Sequence, residues 1–379
     1  MIQPKILRIT TVPISLKFLL KGQFAFMMSN GFLIHICSAD GLEAYELAKS
    51  ENISFTPIAL TRSINPLLDC YAIFILFKLI KREQFDIVHS HTPKAGLIAM
   101  IAAKLAGVKI RMHTVAGLPL MEANGGKRIV LNQMERLTSA CATKIYPNSF
   151  SLMEYMIDHK LCRKSKLKVL ANGSSNGIDI EYFNPEQRWK DKGLQLKKDL
   201  DIPHNALVAI YIGRITKDKG INELVESLQL LKNTHLLLVG EFEPDLDPIL
   251  PETKRVIENS QQIHYVGFQK DIRPYLSCAD YLVFPSYREG FPNVPLQAGA
   301  MGLPSIVTNI NGCNEIIVNN ENGLIIPAKD SAALHNAMRM FEEDSNLVEK
   351  LSKNARSMIV TRFEQSVVWD ALKEEYLTL

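Results

Sequence analysis

The sequence predicts an α/β protein built from two successive domains, each a doubly wound parallel sheet. Short strand-like runs alternate with amphipathic helical stretches along the whole chain, which is typical of strand–helix–strand units. These runs are continuously apolar and do not alternate with polar residues, as expected when helices cover both faces of a sheet. The pattern restarts after Asn184-Pro185, and 379 residues are enough for two domains.

The first half contains seven strand-like runs and two clear helical patterns. We predict strands at Lys5–Val12, Ile34–Ala39, Phe55–Leu60, Asp86–His91, Ile110–Val115, Lys144–Asn148 and Leu167–Leu170. Helices are predicted at Pro66–Glu83 and at Lys94–Ala106, where Gly107 acts as a stop signal. The second half repeats the pattern with predicted strands at Ala206–Ile212, His235–Val239, Ile263–Phe268, Tyr281–Pro285, Ser305–Thr308 and Leu324–Ile326.

A segment rich in turn formers, 171–177, separates the two halves and is interpreted as the linker. The predicted domains are residues 1–175 and 183–361. Ligands of open α/β sheets bind beyond the carboxyl ends of the strands. We therefore expect the site in a cleft between two facing domains.

Composition indicates an ordinary globular protein, with 47% hydrophobic and 22% charged residues. The cysteines show no C-x-x-C pair and are interpreted as reduced cytosolic thiols; they are Cys37, Cys70, Cys141, Cys162, Cys278 and Cys313. The N-terminal residues read as a buried strand and not as a signal peptide. The most membrane-like run, Cys70–Phe77, is far shorter than the roughly 20 residues of a spanning helix.

Charge is distributed unevenly although the net charge is only +3. Residues 1–180 hold 22 Lys+Arg and 12 Asp+Glu, a net of +10, whereas residues 181–379 hold 21 and 28, a net of −7. A basic domain favours an anionic partner such as a lipid headgroup layer, a lipid-linked diphosphate or nucleic acid. The alternative is that the two halves attract each other across a cleft.

The first candidate constellation follows the predicted strand Ala206–Ile212. Gly213, Arg214 and Lys219 lie between that strand and a predicted helix beginning at Ile221. The free N–H groups and the dipole of the helix N-terminus favour binding of an anion there. The Arg214 guanidinium can form two parallel hydrogen bonds to a phosphate, and the Lys219 ammonium adds a single positive charge. A diphosphate is the expected ligand, and the alternative is a surface turn with solvated charges.

The second constellation follows the strand Tyr281–Pro285, where Glu289 lies in a Gly/Pro loop that leads into a helix. A carboxylate there can accept hydrogen bonds from sugar hydroxyls, and loop amides can bind phosphate oxygens. Gln297 is eight residues further on, within the helix, and could reach a ribose. From the residues alone, a helix-capping role for Glu289 is an equal alternative.

Two histidines and a glycine in the first half are weaker candidates. His91 ends a strand, where it either orients an acceptor hydroxyl or is structural; no carboxylate or Cys stands nearby at the spacing of a metal site. As a bare residue, His113 fits a core histidine better than a site residue. Gly22 lies in a Lys-Gly-Gln loop after the first strand that can approach the donor phosphates.

The run EGFPNVPLQAGAMGLPSIVTN, preceded by GRITKDKG and followed by NGCNEII and NGLIIP, resembles the retaining family 4 glycosyltransferases of the GT-B fold. The likeness extends from the first strand to the last helix. The segments KGQ, HTVAGLP and YPNS are similar to those of bacterial enzymes that extend lipid-linked capsule, O-antigen or glycan precursors.

The resemblance implies a nucleotide-sugar donor in the C-terminal domain and an acceptor on the N-terminal domain, which the helix of residues 362–379 rejoins. Arg214 and Lys219 would hold the diphosphate and stabilise the leaving group, while Glu289 would contact sugar hydroxyls. Further donor contacts are implied for Gly22, Gly213, Phe291, Asn293, Val294 and Gln297. The resemblance implies no metal and no cofactor, and retention of configuration by front-face attack.

Two positions depart from the family pattern. Gln297 stands where the family carries a second glutamate, and an amide carbonyl is a weaker ribose acceptor. Ala116-Gly117 stands where relatives often carry His-Gly. His113 is three residues before Ala116, and an odd offset on a strand directs it to the opposite face. The loop through Gly117 remains a predicted wall of the cleft.

The sequence therefore predicts a cytoplasmic enzyme, peripheral on the inner face of the membrane through its basic domain, with no nucleic-acid partner. It would move a hexose or N-acetylhexosamine from a nucleotide-sugar, UDP in preference to GDP, to a polyprenyl-diphosphate-linked saccharide. The alternatives are a soluble acceptor, a nucleotide-sugar epimerase, or a non-catalytic nucleotide-sugar-binding partner subunit. An NAD enzyme is disfavoured because no G-x-G-x-x-G follows a strand with an acidic partner.

Overall fold

A computed structural model describes residues 3–61, 63–121, 123–245 and 247–379. The chain divides into two compact units, each with its own sheet. The first unit comprises Met1–Gly177 and Ser366–Leu379, and the second comprises Ile178–Gln365. The C-terminal residues therefore return to the first unit, and the change of unit at Gly177 lies within the turn-rich segment of the sequence.

The first unit contains a six-stranded parallel sheet in the order β3-β2-β1-β4-β5-β6. Its strands are β1 (Lys5–Ile9), β2 (Leu33–Ser38), β3 (Ser54–Pro57), β4 (Ile87–Ser90), β5 (Ile110–Val115) and β6 (Lys144–Pro147). Its helices are α1 (Pro13–Leu19), α2 (Gln23–Ser29), α3 (Leu42–Glu51), α4 (Pro66–Glu83), α5 (Pro93–Ala106), α6 (Gly125–Cys141), α7 (Phe150–Asp158) and, from the C-terminus, α16 (Gln365–Thr378).

The second unit repeats this topology with the order β12-β11-β10-β7-β8-β9, again parallel throughout. Its strands are β7 (Leu207–Ile212), β8 (Thr234–Val239), β9 (Ile263–Gly267), β10 (Tyr281–Phe284), β11 (Ser305–Thr308) and β12 (Gly323–Ile326). Its helices are α8 (Gln187–Asp199), α9 (Ile221–Leu228), α10 (Pro251–Asn259), α11 (Arg273–Cys278), α12 (Asn293–Ala300), α13 (Cys313–Ile316), α14 (Ser331–Glu343) and α15 (Ser345–Phe363).

The predicted doubly wound parallel sheets are therefore confirmed, and one strand prediction is wrong. Leu167–Leu170 forms no strand, since its only ladder contact among the described residues is an isolated bridge from Leu167 to Ile145. The run is too short, and too near the turn that follows it, to continue the ladder beside β6.

Both faces of the first sheet are buried, and successive residues of β1 alternate between two cores. Leu7 and Ile9 pack in the core that includes α4 and α5, whereas Ile6 packs in the core that includes α2 and α16. Because side chains alternate along a strand, Arg8 lies on the same face as Ile6. The sequence thus places a fully buried cation in a strand of otherwise apolar residues.

Candidate active site

The two candidate constellations of the second unit meet where the strand order of its sheet reverses. The adjacent strands β7 and β10 are followed by connections that run to opposite sides of the sheet. Such a switch point leaves a crevice at the carboxyl ends of the strands. Arg214 and Lys219 follow β7, and Glu289 follows β10, so the topology brings them to one edge.

Arg214 is held by its backbone, and its side chain extends into solvent. Gly213, with φ +155°, links it to β7, and a Cβ at Gly213 would approach the Tyr211 hydroxyl to 2.7 Å. That hydroxyl donates to the carbonyl of Arg214 at 2.8 Å. The guanidinium is 44% exposed and lies 3.5 Å from Glu243, so this loose surface pair leaves it able to reach an anion.

Lys219 ends a short 3₁₀ turn, Lys217–Lys219, directly before α9. Its ammonium lies 2.6 Å from Oε1 of Glu289, and their side chains are only 12% and 19% exposed. The Ser286 hydroxyl donates to the same oxygen at 3.0 Å. The described contacts of Glu289 therefore use Oε1, which leaves Oε2 able to accept from a ligand hydroxyl.

The loop that carries Glu289 is fixed by neighbours on β11 and beyond it. The side-chain amide of Asn311 donates to the carbonyls of Glu289 and Gly290 at 3.2 and 2.6 Å. The hydroxyl of Thr308 donates to the carbonyl of Ser286. Arg288 makes a longer contact of 3.4 Å with the buried carboxylate of Asp218. These bonds keep the Glu289 carboxylate at the strand end before any ligand binds.

Helix α12 follows the loop and begins without a side-chain cap. Its N-cap residue is Pro292, and Glu289 is engaged by Lys219 and Ser286 instead of capping this helix. Asn293 and Val294 occupy its first turn, whose N–H groups lack helical acceptors. The ring of Phe291 packs 5.5 Å from that of Phe363. Gln297 lies half-buried one turn further along α12.

Buried groups next to this ion pair are held neutral. Burial, with Glu289 and Asp218 adding to it, raises the pKa of the Tyr211 phenol well above its ordinary value. Burial also raises the pKa of the Cys313 thiol; Glu289 adds to the effect and Lys219 opposes it. Neither Tyr211 nor Cys313 therefore adds a negative charge beside the Lys219–Glu289 pair.

In the first unit, Gly22 caps the N-terminus of α2 and packs against α16. Its φ is +78°, and a Cβ there would lie 2.8 Å from the Trp369 ring. The Trp369 ring nitrogen donates to Asn176 at 2.7 Å, and Asn176 in turn donates to the carbonyl of Lys21 at 3.0 Å. The structure thus gives Gly22 a packing role, and its role in donor binding stays a prediction.

His91 is 4% exposed and lies within a polar cluster on the α16 face of the sheet. Its Nε2 accepts from Nε of Arg8 at 2.9 Å, so the neutral ring carries its proton on Nδ1, which has no partner among the described residues. Burial lowers its pKa well below the ordinary value, and His89 and Arg8 lower it further. His89 bonds to Tyr376 of α16 at 2.6 Å and to Thr114 at 2.8 Å.

His113 lies on the other face of the sheet from His91, the face that α5 covers. It is 1% exposed, bonds to the Ser90 hydroxyl at 2.8 Å, and packs so closely on α5 that a Cβ at Gly96 would be 2.4 Å from its ring. Gly117 follows β5 and is half-buried. His91 and His113 are therefore separated by the sheet, and neither ring is open to solvent in this structure.

Three residues were missed by sequence reasoning as parts of these sites. Ser286 and Asn311 hold the Glu289 loop, and Arg8 fixes the tautomer of His91. The arginine inside the apolar run KILRIT could have predicted a buried polar cluster, because a charge inside a buried strand needs polar partners. Asn311 gave no local signal, because its contact depends on the adjacency of β10 and β11.

Within the described ranges, no group of three or more His, Cys, Asp or Glu side chains could hold a metal ion. No helix in those ranges is long and apolar enough to cross a membrane. The described cysteines are unpaired.

The chain matches two family models, "Glycosyl transferases group 1" over residues 194–358 and "Glycosyl transferase 4-like" over residues 15–149. It is 33% identical to a capsular polysaccharide biosynthesis glycosyltransferase of Staphylococcus aureus, covering 99% of this chain and 97% of that one. It is 29% identical to an Escherichia coli UDP-Gal:alpha-D-GlcNAc-diphosphoundecaprenol alpha-1,3-galactosyltransferase, covering 94% and 92%.

Solved structures share the whole fold at lower identity. A glycosyltransferase of Rickettsia africae superposes with a TM-score of 0.82 at 21% identity, covering 99% of this chain and 98% of that one. The Anabaena protein HepE in complex with UDP gives a TM-score of 0.79 at 18% identity, covering both chains fully. With the duplicated topology and the strand-end motifs, these likenesses establish that the chain belongs to the group 1, family 4-like glycosyltransferases and has the GT-B fold.

Proposed function

We propose that the enzyme transfers a hexose or N-acetylhexosamine from a UDP-sugar to a polyprenyl-diphosphate-linked saccharide, with retention of configuration and without a metal ion. The observation that carries this proposal is the pairing of Lys219 with Glu289 at the switch point of the second sheet. One residue of the pair has the charge to bind a diphosphate, and the other has the acceptor oxygens to bind a sugar.

The chemistry follows from these two residues and Arg214. The Lys219 ammonium and the Arg214 guanidinium would neutralise charge that develops on the leaving diphosphate as the bond from C1 to its oxygen breaks. Glu289 would hold sugar hydroxyls through Oε2. The incoming acceptor oxygen bonds to C1 on the same face, and its proton passes to the departing phosphate oxygen. These two cations would supply the positive charge that a divalent metal supplies in other transferases.

The substrate classes are supported by the relatives. The E. coli relative is named as a transferase of UDP-galactose to a diphosphoundecaprenol-linked sugar. A Campylobacter jejuni relative, 31% identical over 77% of both chains, is named as an N-acetylgalactosaminyltransferase acting on a diphospho-undecaprenol-linked sugar. In our proposal, Gln297 affects the affinity for the donor, and His91 and Gly117 affect the binding of the acceptor.

Association with an anionic membrane surface is part of the proposal, because the acceptor would be lipid-linked. Residues 1–180 carry 22 Lys+Arg against 12 Asp+Glu, a net of +10. Helix α4 exposes Leu67, Tyr71 and Phe74 along one stripe, at 84%, 55% and 51%, and its last turns carry Lys78 and Lys81. We expect vesicle binding to weaken with salt, since screened charge would dominate the attraction; salt-insensitive binding would point to hydrophobic insertion.

The decisive experiment offers the protein a panel of nucleotide sugars, with and without a polyprenyl-diphosphate-linked disaccharide, and measures release of UDP or GDP. We expect release of UDP that depends on the acceptor, persists in EDTA and gives an α-linked product. A soluble saccharide that serves as well as the lipid-linked one would identify a soluble acceptor. Tight UDP-sugar binding without turnover for any acceptor would identify a non-catalytic subunit, which the changes at Gln297 and Ala116 favour among the alternatives.

A further inference from the structure

A cavity in the first unit lies between the end of α6, the end of α7 and the segment that follows α7. Its volume is about 460 Å³, and its lining is basic and apolar with one hydroxyl and one thiol. The lining residues are Arg136, Ser139, Ala140, Ile157, Lys160, Leu161, Cys162, Arg163 and Lys166. We name this the α6–α7 pocket.

The pocket and the predicted acceptor site lie at opposite ends of the parallel strands of the first sheet. Ser139 and Ala140 come shortly before β6, so the pocket lies near the amino end of that strand. The residues predicted for the acceptor side of the cleft, His91, His113 and Gly117, lie near or beyond the carboxyl ends of β4 and β5. Because the strands are parallel, one group lies at the amino ends of the strands and the other at their carboxyl ends.

The positive charge of the pocket is not balanced by acidic side chains. Among its described lining residues none carries a carboxylate, and no described salt bridge involves Arg136, Lys160, Arg163 or Lys166. Lys166 is occupied by helix-end carbonyls, since its ammonium donates to Ser139 at 2.8 Å and to Ala142 at 2.6 Å. Burial lowers the pKa of Lys166; Cys162 opposes this effect, and the neighbouring cations Arg111, Arg163 and Lys104 add to it.

A buried hydroxyl lines the same cavity. The side chain of Ser139 is 4% exposed, and within the described residues its Oγ makes no hydrogen bond to an oxygen or nitrogen atom. It lies beside the Cys162 thiol; burial raises the pKa of this thiol, and contact with the Ser139 hydroxyl and the charge of Lys166 lower it. A thiol is a weak hydrogen-bond partner for a buried hydroxyl, so a ligand oxygen that accepts a hydrogen bond from Ser139 would be favoured.

We propose that the α6–α7 pocket binds a phosphate group, held by Arg136, Lys160 and Arg163 and accepting a hydrogen bond from Ser139. Guanidinium forks suit a phosphate geometrically, and several cations suit a group of more than one negative charge better than a carboxylate. The apolar walls at Ala140, Ile157 and Leu161 would contact the non-ionic part of the molecule that bears the phosphate. This site is separate from the sugar-transfer site and holds even if no sugar is transferred.

Cys162 gives a local readout, and Cys70 on α4 gives an internal control. Cys162 lines the pocket, whereas Cys70 is an exposed thiol elsewhere in the same unit. The rate at which iodoacetamide modifies each thiol is measured by peptide mass spectrometry in inorganic phosphate or pyrophosphate, against chloride at matched ionic strength. We expect saturable protection of Cys162 of at least about five-fold, with Cys70 unchanged.

Charge-removal variants link the protection to the pocket. Arg136 and Lys160 are exposed, so the double variant Arg136→Gln/Lys160→Gln should fold normally and lose the protection. The matched control Lys17→Gln/Lys49→Gln removes the same charge from exposed positions of the same unit and should keep the protection. Protection that survives in the first double variant overturns the proposal.

A second arm distinguishes a free phosphate from a lipid headgroup. Vesicles of phosphatidylcholine alone are compared with vesicles that contain phosphatidylglycerol, using wild type and the Arg136→Gln/Lys160→Gln variant. Protection by inorganic phosphate supports a soluble ligand. Protection only by phosphatidylglycerol, lost in the variant, supports a lipid headgroup. Equal protection by both kinds of vesicle, or none by any phosphate probe, overturns the proposal.

Discussion

In the second unit, the ammonium of Lys219 lies 2.6 Å from Oε1 of Glu289, although the two residues are 70 positions apart in the chain. Each residue alone would be a largely buried charge, and together they form a pair whose other oxygen, Oε2 of Glu289, remains able to accept a hydrogen bond. In the proposed function the cation of this pair would bind the diphosphate and the carboxylate would bind the sugar, and several measurable consequences follow from this arrangement.

Replacing the carboxylate should remove sugar transfer without unfolding the unit. We expect Glu289→Gln to lower kcat/KM by about 10²–10³-fold, because an amide keeps the shape and loses the charged acceptor for sugar hydroxyls. The measurement is acceptor-dependent UDP release, with circular dichroism to monitor folding. Glu258→Gln, an exposed carboxylate on α10, is the matched control and should retain wild-type rates. A Glu289→Gln enzyme with wild-type kcat would exclude the sugar-binding role.

Removing one member of the pair should cost more stability than removing both. Lys219→Met and Glu289→Gln each alter one partner, and Lys219→Met leaves a carboxylate that is 19% exposed without its cation. We expect Lys219→Met to lower the free energy of unfolding by about 2–4 kcal/mol, and the double variant to recover part of that loss. Urea unfolding of the four proteins measures the coupling. Additive losses would show that the ion pair contributes no coupling energy.

Gly22 should resist substitution for two separable reasons. Gly22→Ala places a Cβ at a φ of +78° and 2.8 Å from the Trp369 ring, so we expect a loss of about 2–4 kcal/mol. Gly31→Ala is the matched control, because Gly31 has a φ of +88° and nothing within 4 Å of its added Cβ. Its loss should be about 1–2 kcal/mol, the backbone part alone. Thermal unfolding would contradict the packing role if the two variants were equally stable.

The sequence predicted most of the fold because its signals are local. The helix Pro66–Glu83 was predicted with the observed bounds, since Asn65 caps it and apolar residues recur at the helical period. Leu167–Leu170 was wrong because strand pairing depends on a neighbour that a local pattern does not reveal. Arg214, Lys219 and Glu289 were found from motif positions at strand ends, but their mutual contact required the order of β7 and β10.

The polar cluster of the first unit escaped prediction for a similar reason. Arg8, Gln23 and His91 are distant in sequence and meet only because β1 and β4 are adjacent and α2 covers them. The burial of His91 and His113 also depends on packing by α16 and α5, which no single strand pattern encodes. Local periodicity thus predicts which face a side chain takes, whereas its partners come from topology.

The buried histidines should make the first unit acid-sensitive. Burial lowers the pKa of His113 to about 4 from an ordinary value of 6.5. Between these values the unfolded chain takes up a proton that the folded ring does not, so stability is full above pH 6.5 and falls as the pH drops toward 4. At pH 5 this one group should cost about 2 kcal/mol.

His113→Gln isolates that cost. A glutamine can keep a hydrogen bond to Ser90 and has no titration, so the difference in unfolding free energy between pH 7.5 and pH 5 should shrink by about 2 kcal/mol relative to wild type. His89 and His91, whose pKa values burial also lowers, remain in both proteins and cancel in the comparison. Glu135, whose pKa burial raises to about 7, acts with the opposite sign and cancels likewise. Urea titrations at the two pH values test this, and an unchanged difference would show that His113 titrates normally in the folded chain.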